Sequence, residues 1–170
     1  MQSLIYQQNQ ELEKAKESLK QIYEAKNAPS GVKSLASLRY AAFLLDDGNR
    51  SEAVKVYSAV NNCKSCDNYI HDLAGLLMVK LWMADEAELN KEDLGSRIKK
   101  VEDGAKVLKY NIAEQRALFE IQKNNLEQAY QIFDLIAKSP EGSMALKERA
   151  KDGLKMVIGM GFIPQDSKQV

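Results

Sequence analysis

Along Leu35–Val60, LASLRYAAFLLDDGNRSEAVKVYSAV, apolar residues recur at spacings of three and four on either side of a polar break. Leu35, Leu38, Ala41, Ala42 and Leu45 fall on one side of a 3.6-residue helix, and Phe43 and Leu44 widen that stripe. Ala53, Val56, Tyr57 and Val60 form the apolar side of a second helix. Between them Asp46-Asp47-Gly48-Asn49 predicts a tight turn, with Gly48 in the left-handed conformation that closes a helix. Asn49 or Ser51 is placed to cap the next helix, and Glu52 suits its first turn. The stretch predicts two antiparallel helices. Small Ala53 lets them approach closely, and Tyr57 fills the space one turn later.

The same pattern organises the rest of the chain. An amphipathic helix over residues 4–27 carries Leu12, Ala15, Leu19, Ile22 and Tyr23 on one side. The Asn27-Ala28-Pro29-Ser30-Gly31 cluster stops it. Hairpins are predicted over residues 33–61, 68–102 and 109–138, a capping helix over 143–158, and a loosely attached tail over 159–170. In the middle hairpin, a very apolar helix from Tyr69 to Ala84 follows a capping Asp67 or Asn68 and carries Leu73, Leu76, Leu77, Val79, Leu81, Trp82 and Met83. Its partner, Lys91 to Val101, has a thin stripe of Leu94, Ile98 and Val101, and Asp103-Gly104 breaks it. The third hairpin joins Lys109–Lys123 to Leu126–Lys138 at Asn124-Asn125.

A shift of 38 residues relates these hairpins. Leu35-Ala36-Ser37-Leu38 lands on Leu73-Ala74-Gly75-Leu76, and Phe43-Leu44-Leu45 on Leu81-Trp82-Met83. Ala15, Leu19 and Ile22 land on Ala53, Tyr57 and Val60. A double shift carries Ala41, Phe43 and Asn49 to Ala117, Phe119 and Asn125, and Ala53, Tyr57 and Val60 to Ala129, Phe133 and Ile136. Lys91 occupies the alanine position of the middle copy, which is therefore degenerate or displaced. The fold class predicted is all-α: a tetratricopeptide-like right-handed solenoid of about eight antiparallel helices, whose hairpins bury their apolar sides by stacking. The small-aromatic-apolar signature of the second helices resembles a tetratricopeptide repeat, whereas the usual first-helix signature is mostly absent.

Lys+Arg and Asp+Glu each number 24, giving zero formal net charge. That argues against nucleic acid as a partner, since such binders present a basic face. No run approaches the ~20 apolar residues that span a membrane, and no secretory signal pattern opens the chain. Two cysteines do not make a disulfide framework.

The helical start, GVKSLASLRYAAFLLDDGNRSEAVKVYSAV, the apolar middle helix after a capping Asp, and IAEQRALFEIQKNNLEQAYQIFDLIAKSPEGSMALKERAKDGL together resemble the YfgM family over about residues 4–157. That family is a tetratricopeptide-like ancillary component of the Sec translocon, with one membrane helix and a periplasmic solenoid. The resemblance implies a non-catalytic, chaperone-like protein-binding scaffold on the periplasmic side of the inner membrane. It implies translocon subunits, exported proteins and a periplasmic prolyl isomerase as partners. Ile5-Tyr6-Gln7-Gln8-Asn9 resembles the segment that follows the membrane helix in the family, so the uncapped first helix is expected to continue into an anchor absent from this chain. A free-standing adaptor, including a cytoplasmic one, is the alternative.

Cys63-Lys64-Ser65-Cys66 leaves several readings open: incidental loop cysteines, a local disulfide, a redox pair, or metal ligation with His71. Structural zinc wants four ligands, and Asp67 or Asp72 would have to supply the last. His71, the sole histidine, reads as a surface or capping residue. No nucleophile–base–orienter set can be assembled, so no catalytic residue, cofactor or metal is assigned. What remains is a surface. In such solenoids the first helices line the concave face, which nominates Leu35, Leu38, Ala42, Leu45, Leu76, Lys80, Met83, Glu114, Leu118 and Gln122. Each taken singly has core packing as its simpler reading. An open solenoid end also leaves a homodimer as an option.

Overall fold

A computed structural model describes residues 2–164, with side chains from Glu11 onward. Among the described residues there are nine helices and no strand: α1 (Gln2–Glu24), α2 (Ser30–Asp46), α3 (Arg50–Asn61), α4 (Asn68–Met83), α5 (Glu86–Leu89), α6 (Leu94–Gly104), α7 (Lys109–Gln122), α8 (Leu126–Lys138) and α9 (Met144–Gly159). The chain divides into two compact units, residues 1–81 and 82–170. In the first, α2 packs on both α1 and α3. In the second, α6, α7, α8 and α9 pack in sequence, and α7 also touches α9.

Capping chemistry sets the boundaries. The Asn49 side chain accepts from the Glu52 N–H at 3.3 Å, the Asp67 carboxylate from the Tyr69 and Ile70 N–H groups at 2.9 and 3.3 Å, and the Ser143 hydroxyl from the Leu146 N–H at 3.3 Å. Asp85 accepts from the Ala87 and Glu88 N–H groups, which creates α5. That extra turn delays α6 to Leu94, three residues after the predicted start, and α6 then runs on through Asp103-Gly104. Leu94, Ile98 and Val101 are all buried, and Leu94 and Ile98 stand 38 residues after buried Val56 and Val60, so of the two expectations from Lys91 the middle copy is degenerate at its start and keeps its register. Ser30 and Gly31, expected in a loop, instead form the first turn of α2. Pro29 sits at the N-cap and its carbonyl accepts from Lys33 N–H at 2.9 Å.

Two turns are built alike. After α2, Asp47, Gly48 and Asn49 N–H groups donate to Phe43, Leu45 and Leu44 carbonyls at 3.0, 2.9 and 2.7 Å. After α7, Lys123, Asn124 and Asn125 donate to Phe119, Ile121 and Glu120 at 3.1, 2.9 and 2.8 Å. Gly48 and Asn124 hold the left-handed position, with φ of 77° and 58°. This is the paired-bond helix stop of a Schellman motif, and its two copies lie 76 residues apart, twice the predicted period.

Burial repeats with the same period. In α2 the buried residues are Ser34, Ala36, Ser37, Tyr40, Ala41 and Leu44; 38 residues on, Asp72, Ala74, Gly75, Met78, Val79 and Trp82 are the buried residues of α4. Likewise Ala53, Val56, Tyr57 and Val60 of α3 correspond at a 76-residue shift to Ala129, Ile132, Phe133 and Ile136 of α8. The second-helix faces agree with the sequence reading. The first-helix face does not. Of Leu35, Leu38, Ala41, Ala42 and Leu45, only Ala41 is buried; the core side is rotated to Ser34, Ala36, Ser37, Tyr40 and Leu44. Small residues let α1 and α3 approach the α2 backbone, and the Ser34 and Ser37 hydroxyls are satisfied by donating to the Gly31 and Lys33 carbonyls at 3.0 and 2.7 Å.

At the chain ends the pattern thins. On α1, Leu12 and Ala15 are exposed, while Leu19, Ile22 and Tyr23 are half-buried, and Tyr23 stacks on Tyr40 with centroids 5.8 Å apart. Residues 4–10 of the predicted stripe, including Ile5-Tyr6-Gln7-Gln8-Asn9, lie outside the described side chains. At the other end the tail is attached more firmly than predicted. Phe162 packs on Tyr130 at 5.0 Å and its N–H donates to the Val157 carbonyl at 3.3 Å. The rest of the tail, from 165 on, lies outside the described residues.

Candidate interaction surface

None of the ten nominated residues is core. Leu35, Ala42, Lys80 and Gln122 are exposed, and Leu38, Leu45, Leu76, Met83, Glu114 and Leu118 are half-buried. Leu118 nonetheless packs against the core cluster of the second unit, so for it core packing holds in part. Leu38, Ala42 and Leu45 follow one another at i, i+4 and i+7 along α2, so they share one side of it. Leu76, Lys80 and Met83 hold the equivalent positions of α4, and Glu114 and Leu118 those of α7. Gln122 stands one residue beyond the equivalent of Leu45 and Met83, which is Ile121. These positions are exposed or half-buried in α2 and α4, whereas in α7 Leu118 and Ile121 pack against the core of the second unit.

Within the second unit, Glu114 is already engaged. Its carboxylate takes a two-pronged ion pair from Arg149 of α9, with Nε at 2.7 Å and Nη2 at 2.9 Å. The hydrogen bond that Arg149 donates to Glu114 holds the guanidinium pKa above its ordinary value. The pair ties α7 to α9 and subtracts one charge from any partner-facing surface. A second pair lies deeper: Glu102, 3% exposed, accepts from Arg116 Nε at 2.5 Å and Nη2 at 3.4 Å. Arg116 occupies the repeat position held by buried Tyr40 and Met78, so the third copy replaces an apolar plug with an ion pair. Near the start of the unit, Arg97 lies 4.1 Å from the Trp82 ring centroid and donates to Glu88 at 2.8 Å, while Lys91 donates to the other Glu88 oxygen at 2.5 Å. Lys91 and Arg97 together pull the Glu88 pKa below its ordinary value.

In the first unit Cys63 and Cys66 form a disulfide, so neither sulfur is a free metal ligand. The loop they close is pinned to the start of α2, where the Ser30 hydroxyl donates to the Ser65 carbonyl at 3.2 Å. His71 is half-buried and is neither a surface residue nor a cap. Its Nδ1 lies 2.8 Å from Oδ1 of buried Asp72, and its carbonyl accepts from the Asn61 amide at 3.2 Å. Among the described residues no group of three or more His, Cys, Asp and Glu is placed to hold a metal ion. No helix among them is long and apolar enough to cross a membrane.

Several exposed apolar residues escaped the periodicity argument. Leu135 and Val107 stand 55% and 54% exposed, and Met144 is 75% exposed at the start of α9. Leu135 had a readable signal, because it lies off the Ala129–Phe133–Ile136 stripe of its own helix. Comparison with protein-family models, with curated proteins and with solved structures finds nothing that matches this chain.

Proposed function

We propose that the chain is a tetratricopeptide-like, right-handed helical solenoid and that it works as a non-catalytic scaffold for other proteins. The observation that supports this best is the 38-residue recurrence of burial. Within the first unit it leaves Leu38, Ala42 and Leu45 of α2 and Leu76 and Lys80 of α4 exposed or half-buried. Recurring sides of this kind are suited to an extended or helical partner segment. Their half-buried leucines supply apolar contact.

In the more specific form of this reading the scaffold is the periplasmic domain of a membrane-anchored, translocon-associated protein of the YfgM type. Exported proteins, translocon subunits and a prolyl isomerase are then its partners. The Cys63–Cys66 disulfide supports an oxidising compartment over the cytoplasmic adaptor alternative. Crosslinking followed by pull-down from the native cell tests the reading. Recovery of translocon subunits or exported proteins is expected, and it should fall when Leu38 and Leu76 are both replaced by Lys while helical content is unchanged. Recovery of neither class, or recovery indifferent to those replacements, overturns it.

A further inference from the structure

The disulfide loop of the first unit roofs a cavity of about 240 Å³ between the end of α1, the start of α2 and the end of α3. Its size lies between the ~150 Å³ cavity that admits a benzene ring and the ~300–1,000 Å³ of drug-sized pockets. Ala28, Ala59, Val60 and the two cysteines give it an apolar wall.

Its polar lining is Tyr23, Ser30, Lys33, Ser34, Ser37 and Ser65. The hydroxyls of Ser30, Ser34 and Ser37 each donate to a backbone carbonyl, at 3.2, 3.0 and 2.7 Å. Lys33 is the one charged lining residue, and no Asp or Glu lines the cavity. An ammonium carries three donors, and one of these goes to the Ala25 carbonyl at 2.8 Å. Lys33 is itself half-buried, so its ammonium is partly shielded from water, and a hydrogen bond to an anion there is charge-assisted.

We propose that this cavity is a binding site for a compact apolar carboxylate of about benzoate size. The ring would rest on Ala59, Val60 and the disulfide, and the carboxylate would meet Lys33. This goes beyond the scaffold reading and is independent of it, because a partner pull-down does not report on a small-molecule site.

The test is an NMR titration of the disulfide-bonded chain with benzoate and, separately, with toluene. Benzoate should give saturable amide shifts centred on Ala28, Lys33, Ser34 and Val60, and should bind at least about tenfold more tightly than toluene. Lys33→Met keeps the length of the apolar stem and should erase that preference, whereas Lys33→Arg should retain it. The dispersion of the amide spectrum checks that each variant is folded. Absence of saturable benzoate shifts, equal binding of toluene, or unchanged benzoate affinity in folded Lys33→Met overturns the assignment.

Discussion

Gly153 offers a test of how tightly the second unit is packed. It sits in the middle of α9, fully surrounded, and faces Phe133 of α8. A Cβ added there would lie 2.6 Å from Cε1 and 2.7 Å from both Cδ1 and Cζ of that ring. In an open helix, Gly→Ala stabilises by about 1 kcal/mol, because alanine loses less backbone freedom. Here the ring cannot swing aside. Phe133 is 2% exposed and is enclosed by Ala113, Ala117, Ala129, Ile136 and Ala150 of the same core cluster. Displacing it carries an overpacking cost of about 1–3 kcal/mol, augmented by the depth of the clash. Gly153→Ala is therefore expected to destabilise by roughly 1–2 kcal/mol despite the better helix former. Gly31→Ala is the control. Gly31 lies in the first turn of α2 with nothing within 4 Å of its Cβ position, and it should gain about 0.5 kcal/mol. Urea denaturation followed by circular dichroism should give shifts of opposite sign for the two variants. Phe133→Leu should cost less in the Gly153→Ala background than alone, because the smaller side chain relieves the clash. A Gly153→Ala variant as stable as the parent would refute the argument.

Arg116→Ala should cost about 3 kcal/mol, because it strands the Glu102 carboxylate in the core; Arg116→Met with Glu102→Gln should recover most of that loss in the same denaturation assay. Glu88 is held below its ordinary pKa by Lys91 and Arg97, so its pairs stabilise the fold above the unfolded carboxylate pKa, near 4.3. That contribution is lost as pH falls through the depressed value. The stability gap between the parent and Glu88→Gln should therefore be largest near neutrality and close as pH falls below the ordinary carboxylate range, with 1 M salt shrinking it throughout. Replacing Cys63 and Cys66 by serine opens a four-residue ring and should cost about 2 kcal/mol by loop-closure entropy, read as a lower urea midpoint; a larger loss would mean that the loop also holds α2 through Ser30.

The second helices were legible because they are amphipathic in the ordinary way. Ala53, Val56, Tyr57 and Val60, and their counterparts in α8, contrast with mostly polar residues on their other sides, with Leu135 of α8 as an apolar exception. Period alone then names the buried face. Helix α2 has no such contrast. Leu35, Leu38 and Leu45 are more hydrophobic than Ser34 and Ser37, yet the serines are inside. What decides there is how closely neighbouring backbones approach, and that favours small side chains whose hydroxyls bond their own helix. Hydrophobicity carries no trace of it. The candidate surface was found by placing residues in the repeat, and its members are exposed or half-buried. Its electrostatics were not readable: Glu114 and Arg149 are 35 residues apart, and nothing in the sequence around either predicts their meeting. The Phe162 anchor was missed for a related reason, since Gly159, Gly161 and Pro164 mark irregular backbone and say nothing about what a single aromatic between them will find.

The turns after α2 and α7 are interchangeable parts. Asp-Gly-Asn and Lys-Asn-Asn close the same three hydrogen bonds around the same left-handed residue. Each turn therefore bounds what the other will accept. Proline is barred from all three positions in both, because every N–H donates. The central position admits glycine and asparagine and rejects β-branched residues. At the first position of the turn the charge is open to exchange, as Asp47 and Lys123 already demonstrate, although Asp47 also pairs with Lys16. A full mutational profile of this chain should accordingly be periodic first and position-specific second, with tolerance at any site best estimated from the residue that stands in the same place in another copy.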